Sequence, residues 1–142
     1  MTLNTENKEL IDQFFDRLND RDLSVVDDLC ADDFAVEINR KGTDESVIGP
    51  DGLKEIYEEY YAAFPDFRHE IDELVAEGDL VAVFMTTMGT HEGEFRGIRP
   101  TGNEVAIEDN GLLRIRNGKI VDARPLSDML GLFEQLGVGL DR

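Results

Sequence analysis

The chain holds one cysteine and two histidines in 142 residues, and each scarcity removes a class of explanation. A lone cysteine, Cys30, excludes an intrachain disulfide and any cysteine-rich metal cage. Its expected role is that of a small buried hydrophobe near a helix end. Two histidines, with no compact histidine–carboxylate spacing on one element, give no reason to expect a metal. No apolar run approaches the length needed to cross a bilayer, and the polar start Met1-Thr2-Leu3-Asn4-Thr5-Glu6 lacks a signal-peptide pattern. The expected compartment is the cytoplasm.

Basic residues are scarce as well: 14 stand against 32 acidic ones, for a formal net charge of −18. Such a chain repels nucleic-acid backbones and anionic membranes, so neither is an expected partner. With 41% hydrophobic residues in periodic segments it can still build a core, unlike a disordered acidic chain. Only Lys8, Lys41, Lys54 and Lys119 are lysines, against ten arginines. Acid spread over a folded domain points to a salt-rich cytoplasm, where screening over short distances removes the self-repulsion. A halophilic source is therefore expected. Equal thermal stability in low salt and in molar KCl would contradict it.

The length fits a single domain over 1–142, large enough to bury a core without disulfides. Leu10, Ile11, Phe14, Phe15 and Leu18 recur at helical spacing from Thr5 to Asn19, and Ser24 looks like the cap of a short helix through Cys30. Phe34 to Asn39 reads as a strand and Gly42 to Gly49 as a polar loop. Asp51 is the expected cap of a helix whose stripe is Leu53, Ile56, Tyr57, Tyr60, Tyr61 and Phe64, stopped by Pro65. The period then changes from 3.6 to 2. Strands are expected at Phe67–Glu77, Leu80–His91, Glu104–Arg116 and Lys119–Leu126, with turns at Gly78-Asp79 and Asn117-Gly118. A last helix runs from about Ser127 to Gln135 and ends at Gly137. Helices first and a long antiparallel meander after them make the α+β pattern, with a concave sheet able to hold a ligand.

Several of these segments together carry a resemblance. Gly49-Pro50-Asp51-Gly52-Leu53, Phe64-Pro65-Asp66-Phe67 and Glu77-Gly78-Asp79-Leu80-Val81-Ala82 are followed by Gly89-Thr90-His91-Glu92-Gly93-Glu94-Phe95. Then come Gly97-Ile98-Arg99-Pro100-Thr101-Gly102, Asn117-Gly118-Lys119-Ile120-Val121-Asp122 and Gln135-Leu136-Gly137. In this order they resemble the SnoaL-like polyketide cyclases. The resemblance implies the nuclear transport factor 2-like fold, a cystatin-like α+β roll in which a cone of curved antiparallel sheet is wrapped by N-terminal helices. It also implies a homodimer formed through the sheet, a small apolar organic molecule as partner, and intramolecular aldol chemistry without a cofactor. The family's main acid/base, an aspartate on the last strand, falls at Pro125. Two pocket histidines of the family fall at Gly111 and Ala123.

Aldol cyclisation needs a base beside a carbonyl and donors to hold the enolate oxygen. Val105, Ile107, Asp109, Gly111, Leu113 and Ile115 share one strand face that is apolar except for Asp109, whose carboxyl is the leading candidate for the base. A bulge turning it outward, or Arg124 neutralising it, is the alternative. Asp128 is a second candidate, or simply the cap of the last helix. His91 matches a family histidine and is a candidate for the pocket mouth, or else a strand-end residue in a turn. His69 reads as a sheet-face or dimer-contact residue. Phe14, Tyr57, Tyr61, Phe84, Met88 and Arg124 are the expected ligand contacts, although Met85 and Met88 fall on opposite faces of an unbulged strand. Three functions stay open: a cyclase or isomerase of a small carbonyl or ester compound, a binding or carrier protein that has lost the chemistry, and a dimerisation module with a filled cone.

Overall fold

The computed structural model of the chain describes residues 2–37 and 47–138. The expected loop at 42–46 and the end of the strand at 38–39 lie outside them. Helix α1 (Leu3–Asn19) is capped by Thr2, whose side chain accepts the Thr5 N–H. It buries Ile11, Phe14, Phe15 and Leu18, a stripe at i, i+3, i+4 and i+7. Burying such side chains stabilises by roughly 2 kcal/mol each, so a charge at Phe14 would unseat the helix. A short helix α2 (Ser24–Leu29) follows. Ser24 is inside it rather than capping it, and Asp22 accepts the Ser24 N–H at 3.2 Å.

Strand β1 (Cys30–Glu37) and the two-residue β2 (Val47–Ile48) precede α3 (Pro50–Ala63). Gly49 stands at the cap of α3 with Pro50 in the first turn, so Asp51 lies within the helix instead of capping it. The meander is β3 (Arg68–Glu77), β4 (Leu80–Thr90), β5 (Glu104–Arg116) and β6 (Lys119–Ser127). Asn117 (φ 52°) and Gly118 (φ 73°) form the β5–β6 turn with both residues left-handed, as a two-residue hairpin requires. Helix α4 (Met129–Gln135) closes the chain's described part.

Among the described residues the strands form one sheet in the order β2-β1-β6-β5-β4-β3. It is not wholly antiparallel. β1 runs parallel to β6, because the chain crosses over through α3 and the meander before the last strand lies beside the first. Two irregularities matter for the site. In β3 the register shifts between Ile71 and Glu73, so that both Ile71 and Leu74 meet inward residues of β4. In the β5–β6 hairpin it shifts between Arg114 and Ile115. Such bulges sharpen the local twist. The buried face carries Val81, Val83 and Met85 of β4 and Val105, Ile107, Leu113 and Ile115 of β5, packed against α1 and α3.

Candidate functional site

Between the sheet's buried face and α1, α3 and α4 lies a cavity of about 200 Å³, room for roughly six waters. The cone is therefore not filled by its own side chains. Its wall is mainly apolar, and Phe14 of α1, Tyr57 of α3 and Met88 of β4 all border it. Polar groups gather at one place on the sheet.

Asp109 points inward from β5, with its side chain only 15% exposed. The Thr87 hydroxyl of β4 donates to its Oδ2 at 2.7 Å, and the Ser127 hydroxyl of β6 donates to its Oδ1 at 2.6 Å. Thr87 Oγ1 is in turn 2.6 Å from His69 Nδ1, and His69 Nε2 is 2.8 Å from the Tyr57 hydroxyl. Five side chains from α3 and four successive strands thus form one chain: Tyr57, His69, Thr87, Asp109, Ser127. Buried carboxylates persist when their lone pairs are met this way.

The groups around His69 fix it. Phe15, Tyr57 and Phe67 meet its ring edge-on at 5.0–5.7 Å. Asn19, at the end of α1, clamps the His69 backbone through both its amide atoms, at 2.8 and 2.9 Å. Arg21 donates to the Phe67 carbonyl at 2.8 Å. These contacts also cover the open end of the edge strand β3. Burial brings the His69 pKa down to about 4, against the opposing attraction of Asp109. Burial, and then the Asp109 charge, raises the Tyr57 phenol well above its ordinary value.

The other expected site residues lie elsewhere. Asp128 caps α4, accepting the Gly131 N–H at 2.9 Å, because β6 runs one residue further than its apolar pattern suggests. His91 is fully buried just beyond β4, but against Phe64 and outside the cavity wall. There it clips the 91–103 loop: its Nδ1 accepts the Thr101 N–H at 3.1 Å. Gly93 lies so close to α3 that a Cβ would stand 2.3 Å from the Ala62 carbonyl. Phe84 is 48% exposed on the opposite sheet face, since it falls between the inward Val83 and Met85. Tyr61 borders no part of the cavity and donates to the Leu18 carbonyl at 2.6 Å, tying α3 to α1. Arg124 borders the cavity, but its guanidinium pairs with Glu37 at 3.3 Å and does not neutralise Asp109.

Gly111 and Pro125 face each other across the β5–β6 ladder, both on the cavity wall. A Cβ at Gly111 would meet its nearest atom at 3.4 Å, an ordinary contact, so the backbone does not demand glycine there. Among the described residues no three histidine, cysteine or carboxylate side chains converge as a metal cage. Cys30 is buried and its thiol is pushed up to about 12, which leaves it unreactive. Among the described residues no helix is long and apolar enough to cross a membrane.

Comparison with known proteins places this geometry. The aklanonic acid methyl ester cyclase DnrD of Streptomyces peucetius is 37% identical over 76 residues, which is 53% of this chain and 52% of that protein. The chain thus spans about half the length of the curated relative it matches. Among solved structures, AclR of Streptomyces galilaeus, described as a candidate hydroxylase, superposes with a TM-score of 0.86 at 29% identity, covering 97% of this chain and 89% of its own. IdmH of Streptomyces antibioticus, a candidate polyketide cyclase, gives 0.82 at 28% identity over 93% of this chain and 99% of its own. The family model described as SnoaL-like polyketide cyclase matches residues 9–136. With that extent of match and this nuclear transport factor 2-like architecture, the chain belongs to the SnoaL-like polyketide cyclase family.

Proposed function

We propose that the chain is a cofactor-free cyclase or isomerase of a small apolar carbonyl or ester compound, with Asp109 as its base. The observation that carries this reading is an inward carboxylate, held through both oxygens by Thr87 and Ser127, in a mainly apolar cavity. Such a group can take a proton next to a carbonyl. The base thus sits on β5, while the family position on β6 is Pro125. DnrD is named for aklanonic acid methyl ester, which makes that compound the first probe.

The test is incubation with aklanonic acid methyl ester in D2O, following ring closure and deuterium uptake beside the carbonyl by mass spectrometry. Asp109→Asn is expected to lower both at least about 100-fold. Asp128→Asn should leave them unchanged, because asparagine caps as well as aspartate. Equal rates in native protein and Asp109→Asn would sink the assignment. The second reading, a binding protein without chemistry, is favoured by Pro125, Gly111 and Ala123 standing where the family has its acid and histidines. It predicts that the ester binds and is recovered unchanged and undeuterated.

Dimerisation belongs to the same proposal. Val75, Phe84 and Leu126 are exposed on the outer sheet face, at 54%, 48% and 76%, and would be covered by a second copy. Phe84→Glu is expected to shift sedimentation equilibrium from dimer to monomer; a native protein that sediments as a monomer would end this part.

A further inference from the structure

The hydrogen-bond chain at the site has a direction. A hydroxyl has one proton to give, and the Thr87 hydroxyl commits it to Asp109 Oδ2. Thr87 Oγ1 must then accept at its 2.6 Å contact with His69, which puts a proton on Nδ1. A neutral imidazole has one N–H, and burial keeps this one neutral. Its Nε2 is therefore bare and accepts from the Tyr57 hydroxyl at 2.8 Å. Every proton points toward Asp109. The far end of the chain is the phenolic oxygen of Tyr57, a residue of the cavity wall.

We infer that Tyr57 Oη is where a substrate proton enters the site, with Asp109 taking it up remotely through His69 and Thr87. This rests on the base role proposed for Asp109 and adds the route. The substrate carbon gives its proton to Tyr57 Oη and keeps the electron pair as an enolate. The phenolic proton of Tyr57 passes to His69 Nε2, the Nδ1 proton passes to Thr87 Oγ1, and the Thr87 proton passes to Asp109 Oδ2. The carboxylate ends as a carboxylic acid, and one negative charge has moved to the substrate. Because burial holds the Tyr57 phenol well above its ordinary pKa, phenolate is no resting state and the transfers occur together. Afterwards the polarity is reversed. His69 Nε2–H donates to Tyr57, whose hydroxyl is released toward the enolate and can return the proton to a different atom. Asp109 meanwhile stays held at 2.7 and 2.6 Å by Thr87 and Ser127, and needs no contact with the reacting carbon.

The direction can be read without a substrate. In a long-range 1H–15N correlation spectrum of the 15N-labelled protein at neutral pH, His69 is expected as the Nδ1–H tautomer. His91, the other histidine of the chain, is expected as Nε2–H, since its Nδ1 accepts the Thr101 N–H. His91→Gln assigns the pair. Asp109→Leu removes the acceptor of Thr87, whose hydroxyl then turns to His69 Nδ1 and moves the ring to Nε2–H. A native His69 already in the Nε2–H form, or one indifferent to Asp109→Leu, overturns the inference; the native spectrum alone decides if that variant does not fold. The kinetic arm uses deuterium uptake by aklanonic acid methyl ester. Thr87→Val and Tyr57→Phe, which cut the chain but keep the carboxylate, should each slow it at least tenfold. Native rates in both, with loss in Asp109→Asn, would leave Asp109 as a direct base and discard the route. No uptake by the native protein would remove the base assignment and leave the tautomers to judge the chain by itself.

Discussion

His69 and His91 are 5% and 0% exposed, and each meets a threonine hydroxyl through Nδ1, at 2.6 and 3.0 Å. Yet the two rings are wired in opposite senses. Around His69 both nitrogens have partners, and the bonds lead to a carboxylate in a cavity. Around His91 the Nδ1 takes a backbone N–H, and Nε2 has no partner among the described residues. The backbone there closes on itself: His91 N–H donates to Asn103 at 2.9 Å and Gly102 N–H donates to His91 at 2.8 Å. One histidine carries protons along a path, and the other staples a loop. Burial alone does not distinguish them; the far end of the hydrogen bonds does.

The largest effect is expected from removing the staple. His91→Ala leaves a void beside Phe64 and an unpaired Thr101 N–H, and should cost about 4 kcal/mol in a urea melt at neutral pH. A loss below about 1 kcal/mol would break the comparison, because His91 would then hold nothing.

Next comes the acid limb of stability, which belongs to His69. Its folded pKa is about 4 against 6.5 for a free imidazole, so below pH 6.5 the unfolded chain binds a proton that the native ring refuses. The contribution is whole above that pH and is lost as the pH falls toward 4, for a total of about 3 kcal/mol. Asp109 is the charged group facing the ring; Tyr57, Phe15, Phe67 and Thr87 fill the other sides. Urea melts of native protein and His69→Gln between pH 7.5 and 4.5 should converge on acidification. Parallel curves would mean that His69 titrates as a solvated ring does.

Much of this was legible before any coordinates. The alternation of β5 from Val105 to Ile115 puts Asp109 on the apolar face, and the resemblance to the SnoaL-like cyclases sets Pro125 and Gly111 where that family has its acid and a pocket histidine. His69 reads as a sheet-face or dimer-contact residue but points into the cavity wall; its partners come from β4, β5 and α3, and alternation within one strand does not say what stands opposite. Ser127 was hidden by a bulge. Counting back from Asn117-Gly118 without irregularity sets Leu126 opposite Asp109; the extra residue at Val121 moves that partner to Ser127. Of the two readings open for His91, pocket mouth or strand-end residue in a turn, the structure matches the second; a strand period cannot choose between them, because it does not show that the chain folds back over Phe64 after Thr90. The parallel pairing of β1 with β6 depends on a crossover through most of the chain, and no local pattern encodes that.

The smallest effect sharpens the comparison most, because it changes the same residue type beside each ring. Thr101→Val removes the hydroxyl near His91 Nδ1, which also accepts the Asn103 N–H at 3.1 Å. The backbone bond from Thr101 to Nδ1 survives, and the exposed Asn103 N–H turns to water, so the cost should be about 1 kcal/mol or less. The His91 tautomer should stay as it is, fixed by a main-chain donor that no side-chain change removes. Thr87→Val differs in kind: the hydroxyl there bridges His69 Nδ1 to the carboxylate, and its loss breaks that hydrogen-bonded path. A His91 tautomer that changes with Thr101→Val would make the two rings alike, both set by a hydroxyl. The distinction between carrier and staple would then have to rest on Asp109 alone.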